Sequence, residues 1–211
     1  MQLDLSGNEL CGLDNDGDGD GTYNAEGITA IADALRINSG LTKISLTQNV
    51  SGEEGTKAIC EALEQNKTLK ELDISGFGNT RNIGGTAGVK HVAKMLGING
   101  ALTSIKLRAN NLRDEGWGAI FAAICGNKDS KIMSLDASSE TIGPAGVKLI
   151  AEALRTSVTG ALTSIDLSSN QLTNYSKDMM GINELAAALG ANGALTNLKY
   201  VHVRPNMWAK L

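Results

Sequence analysis

The sequence predicts an α/β solenoid: a horseshoe arc with a parallel β-sheet on its concave face, α-helices on its convex face, about seven strands and six helices. Two recurring patterns predict it. A strand-like segment with aliphatic residues at spacings of three and two returns seven times along 211 residues. Between these segments lie stretches that begin with Gly and carry small and aliphatic residues at i, i+3, i+4, i+7 and i+8, which places one apolar stripe on one face of a helix. A fixed recurrence of strand and helix marks a stacked-repeat architecture, because neither element can bury its apolar face alone.

The strand segments in order are Leu3 to Asn8, Leu41 to Asn49, Leu69 to Ile74, Leu102 to Asn110, Ile132 to Ala137, Leu162 to Asn170 and Leu195 to Tyr200. The clearest helical segments are Gly27 to Leu35, Gly55 to Leu63, Gly116 to Ile124 and Gly146 to Leu154. Ala30, Ala58 and Ala119 share one helical position, which suggests small side chains that let each helix approach the sheet. Asn8, Asn49, Asn110 and Asn170 end their strands with an amide able to satisfy backbone groups where the chain turns away. This predicts a ladder of amides, interrupted in the third and fifth units. Trp117 follows its helix glycine and is expected on the outer rim. His91 stands in place of a small residue and reads as a packed or edge histidine. After the last strand, Pro205 stops the sheet, and Met207 with Trp208 is expected to cover the final repeat.

The pattern Leu-x-x-Leu-x-Leu-x-x-Asn-x-Leu followed by Gly-x-x-x-Leu-x-x-Ala-Leu resembles the ribonuclease-inhibitor-like class of leucine-rich repeats, whose unit is about 28 residues. The resemblance covers nearly the whole chain and implies one domain, residues 1–211. It implies protein recognition without selecting a partner, since members of the class include ligand-sensing domains, inhibitors, actin-pointed-end cappers and GTPase activators.

Longer units depart from the basic repeat at about 11–26, 76–85 and 173–180, each between a strand and a helix. In the second and third, Phe77, Arg81 and Tyr175 are candidate partner contacts. The first holds the one sharp chemical motif, with Asp14, Asp16, Asp18 and Asp20 alternating with Asn and Gly ahead of Thr22 and Glu26. Carboxylates at every second position of a glycine-rich loop suit a hard cation with oxygen ligands. The segment resembles the EF-hand loop, which implies Ca²⁺ held by Asp16, Asp18, Asp20, the Thr22 carbonyl and Glu26, with Asp14 in reserve. Two registers stay open: from Asp16, Glu26 falls one place early, and from Asp14 one place late. A leucine-rich strand replaces the entering helix of an EF-hand. The bland alternative is a solvated acidic loop in which Asp20 or Asn24 caps the helix.

Residues between the strand leucines should point into the concavity. One row is Asp4, Ser45, Asp73, Lys106, Asp136, Asp166 and Lys199; its neighbour is Gln2, Lys43, Glu71, Ser104, Ser134, Ser164 and Asn197. Lys43, Glu71, Asp73, Lys106, Arg108, Asp136 and Asp166 are the candidate partner contacts, with Arg108 the nearest to an anchor because interface hot spots favour Trp, Tyr and Arg.

Composition narrows the function. A net charge of -4 offers no basic stripe for phosphate. No apolar run reaches the roughly 20 residues of a membrane span, and the Met1 to Leu5 start has no signal-peptide character. Three cysteines at unpatterned spacing fit a reducing compartment. Cys60 and Cys125 read as small apolar helix residues and Cys11 as the more accessible thiol. The expectation is a cytoplasmic, monomeric, non-enzymatic module that binds another protein and Ca²⁺, with no nucleic-acid or membrane partner. No Ser/His/Asp arrangement or phosphate loop is present. The alternative is a GTPase-activating or other regulatory repeat protein.

Overall fold

The computed structural model describes residues 1–13, 21–77, 81–191, 193 and 195–199. Strands and helices alternate throughout: β1 (Gln2–Asp4), α1 (Glu26–Ile37), β2 (Lys43–Ser45), α2 (Gly52–Gln65), β3 (Glu71–Asp73), α3 (Thr86–Leu96), β4 (Ser104–Lys106), α4 (Arg113–Gly126), β5 (Ser134–Asp136), α5 (Pro144–Arg155), β6 (Ser164–Asp166), α6 (Met180–Ala191) and β7 (Asn197–Lys199). The strands form one parallel sheet in sequence order, and each helix packs on the next. This is the predicted α/β solenoid, with seven strands and six helices among the described residues.

Each strand is three residues long, so one side chain points into the core and two point out. Ile44, Leu72, Ile105, Leu135 and Ile165 are the inward residues and are buried. The leucines just before and after each strand close the layer: Leu41 and Leu46, Leu69 and Ile74, Leu102 and Leu107, Leu162 and Leu167 are buried as well. Leu3 is 38% exposed because β1 pairs on one side only. The helices supply the other wall, as in α5, where Val147, Ile150, Ala151 and Leu154 are buried.

Two sequence expectations change here. The close approach depends on the glycines rather than the alanines: Ala30 and Ala119 are exposed and Ala58 only half-buried. A Cβ at Gly88 would stand 1.7 Å from the Ile83 carbonyl oxygen, and at Gly181 2.4 Å from that of Pro144. Each helix therefore begins pressed against backbone or side chains that leave no room for a methyl group. Trp117, expected on the rim, is fully buried, with its ring centroid 6.3 Å from that of Phe121. Beyond Arg113 and Glu115 the outward face of α4 carries Ala119 and Ala122 instead, so the helix places its largest apolar side chains inside. No helix among the described residues is long and apolar enough to cross a membrane.

Candidate functional site

The sheet register reproduces both predicted rows. Gln2, Lys43, Glu71, Ser104, Ser134, Ser164 and Asn197 lie side by side across the strands, as do Asp4, Ser45, Asp73, Lys106, Asp136, Asp166 and Lys199. Neighbouring strands in a sheet stand close to 4.8 Å apart, so charges on adjacent strands meet. Lys43 pairs with Glu71 at 3.0 Å, Lys106 with Asp73 at 3.2 Å and Lys199 with Asp166 at 2.9 Å. Such solvent-screened pairs contribute little to stability; their larger effect is to neutralise much of the face.

The aspartates are also tied to their own backbone. Asp4, Asp73, Asp136 and Asp166 each accept the N–H of the residue two places on, at 2.9 to 3.2 Å. Hydrogen bonds from the Ser6 side chain and backbone hold Asp4 below the usual carboxylate range. Partial burial pushes Asp166 up, but hydrogen bonds from Ser168 and Lys199 outweigh it and bring the group below its ordinary value. Among the described residues Arg108 and Asp136 enter no ion pair. Arg108 is exposed two residues beyond the end of β4, within a row of small hydroxyl residues that includes Ser75, Ser138 and Ser168, while Asp136 stands opposite Lys106 in the sheet register.

Behind this face runs the asparagine ladder, and it is continuous. The Asn49 amide donates to the Leu5 carbonyl at 2.8 Å, while its oxygen accepts the N–H groups of Asn8 and Leu10. The third unit, expected to lack a rung, takes Asn82 from inside its insertion: the amide donates to Leu46 and the oxygen accepts from Asn49 and Ser51. Asn110 and Asn170 repeat the arrangement. The fifth unit fills the place with Glu140, whose two oxygens accept the N–H groups of Asn110 at 2.5 Å and Leu112 at 2.6 Å. The reach of a chain detour and the likeness of a carboxylate to an amide oxygen hid both rungs from the sequence reading.

A second ladder was missed altogether. Asn66, Asn99 and Asn127, at the helix ends, donate to Leu35, Leu63 and Leu96 carbonyls one repeat back. The oxygens of Asn38, Asn66 and Asn99 each receive the N–H of the leucine three places on. That spacing, Asn then Leu three residues later, was the available signal.

Asp14, Asp16, Asp18 and Asp20, the core of the predicted calcium loop, lie outside the described residues, as do Pro205, Met207 and Trp208. Both ends of the loop are described. Leu13 bridges Gly21 in antiparallel fashion, and Asn24 N–H donates to the Cys11 carbonyl at 2.9 Å. The crossing is tight: a Cβ at Gly21 (φ +104°) would stand 2.1 Å from the Gly12 carbonyl oxygen. Tyr23 fastens this neck to the second repeat, its hydroxyl donating to the Ser51 carbonyl at 2.7 Å and accepting from Gly55 N–H at 3.3 Å. The Asn24 side chain accepts Glu26 N–H at the start of α1. Thr22 and Glu26 are exposed. Among the described residues no group of three or more His, Cys, Asp or Glu is placed to hold a metal. Cys11, expected to be accessible, is fully buried, and burial pushes its thiol up to about 11.

The other long loops present apolar side chains. Phe77 is 63% and Tyr175 65% exposed, and Arg81 is exposed beside Gly85. Asn174, Tyr175 and Ser176 form three successive left-handed residues, at φ 44°, 58° and 66°. His91, half-buried, stands 3.6 Å from Glu53.

No family model matches the chain. It is 34% identical to human NACHT, LRR and PYD domains-containing protein 13 over 87 residues, covering 41% of this chain and 8% of that protein. It is 26% identical to the bovine NACHT, LRR and PYD domains-containing protein 5 over 78% of this chain and 16% of that protein, and 24% identical to Protein CARMIL of Dictyostelium discoideum over 57% and 12%. The chain thus spans less than a fifth of these relatives' length. Among solved structures it is similar to the C-terminal domain of Caenorhabditis elegans tropomodulin, with TM-score 0.60 and 12% identity over 78% of this chain and 92% of that one. It is also similar to leiomodin-1 actin-binding site 2, with TM-score 0.55 and 20% identity over 75% and 87%. The seven-stranded arc, its two ladders and these likenesses make the fold that of a leucine-rich-repeat solenoid.

Proposed function

We propose that the chain is a protein-interaction scaffold that meets its partner on the concave face around Arg108 and Asp136, and that its first repeat binds one Ca²⁺. The observation that supports the partner site is the pattern of neutralisation. Lys43, Glu71, Asp73, Lys106 and Asp166 form ion pairs within the face, which leaves Asp4 at the first strand and, near the middle of the arc, Arg108 and Asp136 outside any ion pair among the described residues. A protein carrying an acidic side chain for Arg108 and a basic one for Asp136 would satisfy both. Arg is the anchor because its planar fork binds a carboxylate through two hydrogen bonds.

The calcium reading rests on the chemistry of the donors and on the neck. Asp14, Asp16, Asp18, Asp20, the Thr22 carbonyl and Glu26 are oxygen ligands of the kind a hard cation takes. The Leu13–Gly21 bridge holds the two ends of the acidic segment together, so less ordering remains for the ion to supply. Bound calcium would offset the mutual repulsion of four carboxylates and stabilise the first repeat.

Both parts are open to test. Titration calorimetry with Ca²⁺ should give one site that disappears in the Asp16→Asn, Asp18→Asn double variant; no heat at millimolar calcium would end the metal reading. For the partner, actin is the first protein to try, given the similarity of the arc to leiomodin-1 actin-binding site 2, followed by capture from lysate. Arg108→Ala and Asp136→Asn should each weaken the captured complex about tenfold or more. Binding indifferent to both variants, and sensitive instead to Phe77→Ala or Tyr175→Ala, would move the site to the loops.

A further inference from the structure

Glu140 occupies a position that five other repeats give to asparagine, and its surroundings are unusual for an acid. The side chain is fully buried. Its two oxygens receive the N–H groups on either side of Asn111, a left-handed residue at φ 57°. A left-handed residue flanked in this way turns two amide hydrogens toward one point, which forms a concavity suited to a negative or strongly polar acceptor. Its own N–H is held by the Asn170 oxygen at 3.0 Å, so Glu140 is the link between the fourth, fifth and sixth repeats.

The groups that face it do not supply a counter-charge. From β5, Asp136 acts on it with like charge. From α4, the Trp117 indole lies beside the carboxyl and favours its charged form, without making a hydrogen bond of normal geometry. Asp114, also on α4, is committed to the Gly143 N–H. Lys106 on β4 is paired with Asp73, and no Lys, Arg or His among the described residues forms an ion pair with Glu140. A buried carboxylate without a cation is costly, and two amide hydrogen bonds recover only part of that cost. Protonation would remove the charge and leave one oxygen to accept both amides, as the single oxygen of Asn49 does, with the hydroxyl taking the role of the asparagine NH₂.

We propose that Glu140 is a proton-linked rung: the ladder joining repeats four and five takes up a proton there and holds the arc more firmly when it does. Burial is the largest influence and pushes the carboxyl up from 4.5 to about 7, against the opposing hydrogen bonds from Leu112 and Asn110. For an acid raised on folding, the added stability is complete below about pH 4.5 and is lost as pH rises through about 7.

The test uses the full chain with Trp208→Phe, which leaves Trp117 as the single indole. Trp117 emission and the amide proton shifts of Asn110 and Leu112 should titrate together between pH 5 and 8.5 in the folded protein, and the transition should vanish in Glu140→Gln. Over the same range the folding constant should fall on the order of a hundredfold more in the parent than in Glu140→Gln. Should Glu140→Gln fail to fold, Glu140→Asn, which restores the rung of the other repeats, takes its place in both comparisons. A flat emission and flat amide shifts, a transition that survives removal of the carboxyl, or parallel pH profiles of stability would overturn the proposal.

Discussion

Asn110 forms hydrogen bonds in three directions, donating to Ile74 and Leu107 and accepting from Ile83, all out of water. Replacing it by Ala leaves these groups without partners, and each buried orphan costs roughly 1–3 kcal/mol. Urea unfolding should therefore show Asn110→Ala destabilised by about 3 kcal/mol or more, whereas Asn8→Ala, on an exposed rung, should cost under about 1 kcal/mol. The glycines divide in the same way. Gly88→Ala must displace the Ile83 carbonyl and should lose about 3 kcal/mol or more, while Gly40→Ala, with nothing within 4 Å of its Cβ, should be nearly neutral. At this scale the sequence was readable where spacing was regular. Asn49, Asn110 and Asn170 stand at a fixed distance from their leucines. Asn82 arrives after a detour of unreadable length, and Glu140 looks like any surface acid until the fold shows it sealed inside.

Elements were readable because period and turn chemistry agree, and their faces were mostly readable too. The two concave rows follow from strand alternation alone, since a three-residue strand in register leaves no freedom over which side chains point outward. Helix α4 was harder. After Arg113 and Glu115 its exposed side carries only Ala and Gly, so apolarity could not separate inside from outside, and Trp117 was assigned to the rim. The partner of Tyr23 was equally invisible, because it lies on the next repeat. Tyr23→Phe removes the link between the loop neck and the start of α2, and should lower stability by roughly 1 kcal/mol. Amide hydrogen exchange should quicken at Asn24 and Gly55, and unchanged exchange at both would show that the neck is held without the hydroxyl.

At the scale of the whole molecule each helix packs on its sequence neighbours, so stability is a sum of repeats and the interfaces between them. Disturbing one interface should let the arc open locally before it unfolds globally. The calcium reading rests on spacing and donor chemistry alone, because Asp14, Asp16, Asp18 and Asp20 lie outside the described residues. If Ca²⁺ binds there, chelation should lower the melting temperature and loosen the first repeat more than the fourth.

The three buried cysteines make that comparison readable from within. Cys11 sits in the first repeat, Cys60 in α2 and Cys125 in α4, all free and all pushed up by burial toward the unreactive thiol. Each is a native clock for its own stretch of the arc, since alkylation at pH 8 records only the moments when that repeat is open. Mass spectrometry after brief labelling in mild urea should find Cys11 modified ahead of Cys125, with calcium closing the gap. Equal rates at all three sites would mean that the arc opens as one piece.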